Sequence, residues 1–181
     1  MVLSSINRVC VFFDGSNFYH ALKEFNLVRH LDYRKLLSKL LDNRCLVQAL
    51  YYCPVIVRKW DINNVYEKQQ RFFDVLRTVP SMIVVECNVS RCSTANGENK
   101  LSIKGDDIKL AVDMVTKAYK DFYDTAILVS GDADFIPAVE AVQVFGKNVE
   151  NAFLSNRHSS NLERVCNRSV NLDSIVKSTF L

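Results

Sequence analysis

Asp132 and Asp134 stand in the run Ser130-Gly131-Asp132-Ala133-Asp134, directly after the apolar residues 126–129. A short apolar run closed by turn residues reads as a buried strand, and Pro137 suits the first turn of a helix behind it. Asp14 repeats the arrangement. Residues 8–13 are strand-like, and Asp14-Gly15-Ser16-Asn17 ends them before Phe18, Ala21, Leu22 and Phe25 fall at helical spacing. Asp106 and Asp107 follow Gly105 at the head of a further helix. Parallel strands deliver their carboxyl ends to one edge, where ligands bind in open α/β sheets, and a helix start can face that edge. Three or four carboxylates meeting there repel one another and call for a cation. Hard oxygen donors favour Mg²⁺ or Mn²⁺, ions that activate water and neutralise charge on a transferring phosphate.

Taken singly, each residue has a plainer reading. Asp14, Asp132 and Asp134 are ordinary turn or cap residues, and either of Asp106 and Asp107 is at home in a first helical turn. Asn17 suits a helix cap as well as a site. Asp113, six positions after Asp107 in an apolar helix, reads as a structural residue in need of a partner. Competing chemistries fail on spacing. A MIDAS-type site needs Asp-x-Ser-x-Ser, but Phe18 stands in the last position; a haloacid-dehalogenase site needs Asp-x-Asp, but position 16 is Ser. No Gly-x-Gly-x-x-Gly or P-loop occurs, and His20, His30 and His158 are scattered. Of the six cysteines only Cys87 and Cys92 are close together, with no second Cys/His pair to complete a zinc site. They read as reduced thiols, which predicts a cytoplasmic protein. No signal-peptide pattern is present and no apolar run approaches the roughly 18 residues of a membrane span.

The elements that must place these groups follow from periodicity. With 181 residues, 49% of them hydrophobic, the chain suits one domain over 1–181 with its core at about 8–172. A net charge of +3 permits a nucleic-acid partner without arguing for one. Strands are predicted over 8–13, 45–53 (stopped by Pro54), 82–87, 126–129 and 147–154, with a last strand or tail over 169–176. Helices are predicted over 18–25, 33–41 (capped by Asp32), 58–79, 106–119, 136–145 and 160–167. The helix over 106–119 is apolar nearly all round, so it should be largely buried. The polar stretch Asn88–Leu101 predicts a protruding hairpin or loop. Alternating strands and helices predict an α/β fold with a mostly parallel sheet covered on both faces.

Three motifs in order, Phe13-Asp14-Gly15-Ser16-Asn17-Phe18, Lys104-Gly105-Asp106-Asp107-Ile108-Lys109-Leu110-Ala111-Val112-Asp113 and Ser130-Gly131-Asp132-Ala133-Asp134-Phe135, resemble those of the NYN domain, the LabA/DUF88-like branch of the PIN-like nuclease superfamily. The resemblance implies a three-layer α/β/α sandwich and a metal-dependent ribonuclease. By motif position it implies Asp14, Asp107, Asp132 and Asp134 as catalytic ligands of Mg²⁺ or Mn²⁺, with Asn17 beside them. Asp106 departs from the family pattern, which has an apolar or small residue there. Adjacent residues on a helix point about 100° apart, so one of the pair is expected to face the site. Motif order and the flank Leu110, Ala111 and Met114 favour Asp107, leaving Asp106 on the solvent side or as the cap. Lys104, Ser16 and Ser130 are expected near the substrate, with Ser130 also able to fix a carboxylate rotamer. Arg58, Lys59, Arg91 and Lys100 are outer candidates whose plainer reading is a solvated surface charge. The expected partner is RNA, with a homodimer or a second protein meeting the 88–101 segment. The alternative is a non-catalytic RNA-binding or regulatory module on the same fold.

Overall fold

The structure, a computed structural model, describes residues 6–27, 31–56, 58, 64–93, 99–103 and 105–179, with 88–93 and 99–103 described by their backbone. Lys104, Lys59 and His30 lie outside the described residues, as do the side chains of Arg91, Cys92 and Lys100. Seven strands form one sheet: β1 (Arg8–Asp14), β2 (Cys45–Val55), β3 (Met82–Ser93), β4 (Asn99–Ile103), β5 (Thr125–Val129), β6 (Asn148–Phe153) and β7 (Arg168–Asn171). Their spatial order is β4-β3-β2-β1-β5-β6-β7. All neighbours are parallel except β4, which runs antiparallel to β3. Strands β1 and β5 read as continuous apolar runs because both faces are covered.

Alternation along the strands sorts the helices into two layers. Val9, Val11 and Phe13 of β1 pack with α1 (Gly15–Glu24), α2 (Tyr33–Leu41), α3 (Val65–Arg77) and α7 (Asp173–Ser178). Cys10 and Phe12 pack on the other side with α4 (Asp106–Tyr119), α5 (Ile136–Val144) and α6 (Ser160–Val165). The result is the expected α/β/α sandwich.

Several boundaries differ from the sequence reading. Pro54 lies inside β2, paired with Cys87 of β3. Because β1 stops pairing at Tyr52, that part of β2 has β3 alone as a neighbour, and the missing N–H is tolerated. The helix expected from residue 58 is described from Val65, since Asn64 is left-handed with φ 56°. The tail over 169–176 splits into β7 and α7, whose Val176 docks in the core with Leu172 four residues before it. Helix α4 is buried along one stripe only, Asp106, Leu110, Met114 and Ala118. Its outer face leaves Ile108, Val112 and Tyr119 exposed, so the expectation of a largely buried helix fails. Among the described residues no helix is long and apolar enough to cross a membrane.

Candidate functional site

Chain order reverses between β1 and β5: β2 and β3 extend the sheet to one side of this pair, β6 and β7 to the other. The carboxyl edge at such a switch point is where an open α/β sheet leaves a crevice. Phe13 pairs with Val129, so Asp14 and Ser130 come level as the strands end. Both fall on the α4–α5 side by alternation, two residues past Phe12 and Leu128. The Ser130 hydroxyl donates to Asp14 Oδ2 at 2.8 Å, and the Asn17 amide donates to Asp14 Oδ1 at 3.0 Å. Ser130 Oγ in turn accepts from the Asp132 amide at 3.0 Å, and Asp132 Oδ1 from the Asp134 amide at 2.9 Å. Asn17 Oδ1 accepts from the Gly131 amide at 3.2 Å, tying the two loops together.

Two glycines let the backbone pass where a side chain would not fit. A Cβ on Gly15 would lie 2.3 Å from the Tyr52 carbonyl oxygen, and one on Gly131 would lie 1.4 Å from the Arg157 carbonyl oxygen. Gly15 opens α1 at once after the strand, so Asp14 is both the last residue of β1 and the N-cap of α1. Asn17, which suited a cap in the sequence, is instead the clamp between loops.

Asp106 lies neither on the solvent side nor at the cap, the two places expected of it. It is 6% exposed, heads the buried stripe of α4, and accepts from the Ser16 hydroxyl at 3.1 Å. Gly105, not Asp106, is the N-cap. Asp107 is the exposed member of the pair, yet it also belongs to the site field. Partial burial raises its carboxyl above the usual range, helped by the charges of Asp106, Asp132 and Asp134. Asp14, 4% exposed, is pushed up to about 6. Burial is the main cause; the Asn17 and Ser130 hydrogen bonds oppose it, and the Asp107 and Asp106 carboxylates add to it. Asp106 and Asp107 thus act on Asp14, and Asp106, Asp132 and Asp134 act on Asp107, against the expectation that only one of Asp106 and Asp107 would take part.

Ser16 and Ser130, expected near substrate, donate their hydroxyl protons to Asp106 and Asp14 and so hold carboxylates. Asp113 is structural as read: it accepts from the Tyr52 hydroxyl at 3.0 Å and pairs with Lys109 at 2.6 Å. Arg58 faces Glu67 at 3.7 Å. His158 contacts Glu163, and its ring packs on Phe153. The sequence reading missed Tyr51, whose hydroxyl donates to the Gly15 carbonyl at 3.3 Å. Its signal was weak: neighbours on a strand reach opposite faces, and of the Tyr51-Tyr52 pair only Tyr51 turns its hydroxyl to the loop after β1, while that of Tyr52 goes to Asp113.

The donor set fits a hard divalent cation: all five groups are carboxylates, while burial and Asp106 keep the nearby Cys53 and Cys87 thiols protonated, that of Cys53 up to about 12. Among the described residues no three His, Cys, Asp or Glu side chains close into a compact ligand set.

Comparison with known proteins fits this architecture. No curated protein matches the chain. A crystal structure of a Vibrio parahaemolyticus protein of unknown function matches at 23% identity, covering 100% of both chains with a TM-score of 0.71, which shows a shared fold. MurG of Acinetobacter baumannii matches at 14% identity over 90% of this chain and 40% of its own, with a TM-score of 0.44, too low to carry an argument. The family model for the NYN domain matches residues 8–173. That span runs from the first strand into the last helix, and the protein belongs to the NYN domain family, within the PIN-like nuclease superfamily.

Proposed function

We propose that the protein is a Mg²⁺- or Mn²⁺-dependent ribonuclease that hydrolyses phosphodiester bonds at the carboxyl edge of β1 and β5. One observation carries the reading: five carboxylates from three elements share the switch point of the sheet, and the charges acting most on Asp14 and Asp107 are other carboxylates. Asp14, Asp107, Asp132 and Asp134 would hold the cation directly or through water, with the charge of Asp106 acting on Asp14 and Asp107. When bound, the cation supplies a nucleophilic water at neutral pH and neutralises charge on the phosphate. The chain supplies orientation. Ser130 and the Asn17 amide fix the Asp14 carboxyl, Ser16 fixes that of Asp106, and the Asn17–Gly131 bond holds the two loops in register. Lys104, between β4 and α4 in sequence, is the proposed phosphate contact.

Strand β3 pairs with β2 only as far as Asn88, then continues through Val89–Ser93 against β4. The resulting arm extends beyond the carboxyl edge, and β4 is the outer strand of the sheet. Contact with a second copy or another protein would be made along this arm. A cytoplasmic setting belongs to the same proposal, with Cys10, Cys45, Cys53, Cys87 and Cys166 as free thiols.

The test is cleavage of end-labelled RNA with Mn²⁺ or Mg²⁺ and with chelator. Metal-dependent turnover that Asp132→Asn abolishes is the expected result. RNA binding without turnover in either metal would overturn the enzyme and leave the binding-module reading.

A further inference from the structure

The hydrogen-bond ladder between β5 and β6 ends at the pair Val129–Ala152. The next residue, Ser130, is 2% exposed, so its carbonyl needs a donor from somewhere other than a strand or water. The side chain of Asn151 provides it. Asn151 lies on β6, two residues after Val149 and so on the same α4–α5 face. Its Nδ2 donates to the Ser130 carbonyl at 2.8 Å and to the Leu128 carbonyl at 3.3 Å. Asn151 is 0% exposed, and its Oδ1 has no partner among the described residues. A buried amide with an unmet acceptor destabilises a fold relative to an apolar side chain of similar size. Its presence is explained by the donor, not by packing.

We infer that Asn151 is a positioning residue for the carboxylate edge. The amide holds the Ser130 backbone, the Ser130 hydroxyl reaches Asp14 Oδ2 and receives the Asp132 amide, and Asp132 caps the turn that carries Asp134. One side chain on a neighbouring strand thus sets the place of three proposed ligands without touching any of them. None of the acidic motifs contains it. Its kinetic consequence rests on the nuclease reading above; its consequence for loop order does not.

The experiment compares Asn151→Leu and Asn151→Asp with Val149→Ala, a core substitution on the same strand face, all in the full chain. Asn151→Leu keeps the branched outline, at a larger volume, and loses the donor. Asn151→Asp keeps the shape, loses the donor when ionised, and serves if the first variant fails to fold. Hydrogen exchange at the Gly131 and Asp132 amides should accelerate about tenfold or more in either Asn151 variant, while the β5 amides stay as protected as in wild type. Mn²⁺ affinity measured by calorimetry should fall. On RNA, kcat should drop about tenfold or more with KM unchanged, and Val149→Ala should show none of these effects. Unchanged exchange at Gly131 and Asp132, or losses that merely track melting temperature across all three variants, would overturn the inference. If wild type binds Mn²⁺ but does not cleave RNA, the nuclease reading falls and Asn151 is judged on exchange and Mn²⁺ affinity alone.

Discussion

The two ends of the β1–β5 pair hold carboxylates in opposite states. At the amino end, Asp124 takes the Arg8 amide at 2.8 Å and the Arg8 guanidinium at 2.7 and 3.1 Å, and Asp121 is shared by Arg8 and Lys147. The Arg8 side chain holds Asp124 down to about 2, chiefly through its hydrogen bonds. At the carboxyl end, a few residues along the same strands, burial pushes Asp14 up to about 6 with two further carboxylates adding to the shift. The amino end is what a fold does with acids when stability alone is served: each is paired. Among the described residues the acids of the carboxyl end have no cationic partner, and Asp14 and Asp106 are fixed by neutral hydroxyl and amide donors, which makes sense if their counter-charge is a ligand.

The sharpest break between the ends should appear in turnover. Asp14→Asn and Asp107→Asn should each lower metal-dependent RNA cleavage by two orders of magnitude or more, about 3 kcal/mol in the barrier. Asp106→Asn should lose roughly tenfold, because its carboxyl is buried and already held by the Ser16 hydroxyl. Wild-type rates in Asp106→Asn would return that residue to a purely structural role. Asp124→Asn at the amino end should leave kcat unchanged in a folded sample.

Next in size is a backbone effect confined to the carboxyl end. Gly131→Ala forces a methyl into the Arg157 carbonyl, so the loop or the turn after β6 must shift, at about 2–3 kcal/mol. Thermal melting should show the loss, and Mn²⁺ affinity should weaken with it; an unchanged melt would mean that the two loops do not pack as described.

The pH dependence separates the ends by sign. A carboxyl raised in the fold favours the protonated form, so its contribution to stability is complete below the unfolded value and is lost as pH rises through about 6. In chelator, the protein should therefore gain stability from Asp14 as pH falls from 7 to 5, about 1.3 kcal/mol, and Asp14→Asn should remove the gain. Asp124, lowered to about 2, contributes across that whole window and loses its contribution only below the ordinary range near 4. The smallest effect expected is for Asp124→Asn at pH 7, a loss of roughly 1 kcal/mol, because the pair is partly solvated.

Much of this layout was legible in the sequence because apolar runs ended by Asp-Gly or Ser-Gly mark both a buried strand and its turn. Parity along 8–14 and 126–130 then places Asp14 and Ser130 on one side of the sheet. The phase of α4 was not legible. A helix with apolar residues on nearly every face does not reveal which four-residue stripe docks, and Ile108, Val112 and Tyr119 proved to be outside while Asp106 was inside. Likewise Asn17 and Asn151 act across loops and strands, through contacts that no local spacing encodes.

The most direct test of an edge held unpaired for a cation is a crossed melt of wild type and Asp14→Asn, each in chelator and in Mn²⁺ at pH 7. Asn can still accept the cap bond from the Asn17 amide, so removing the charge should raise the melting temperature in chelator by a few degrees. Mn²⁺ should raise the wild type and leave the variant unmoved, so that their order narrows or reverses. A variant that melts lower than wild type in chelator and shifts equally with Mn²⁺ would contradict the account.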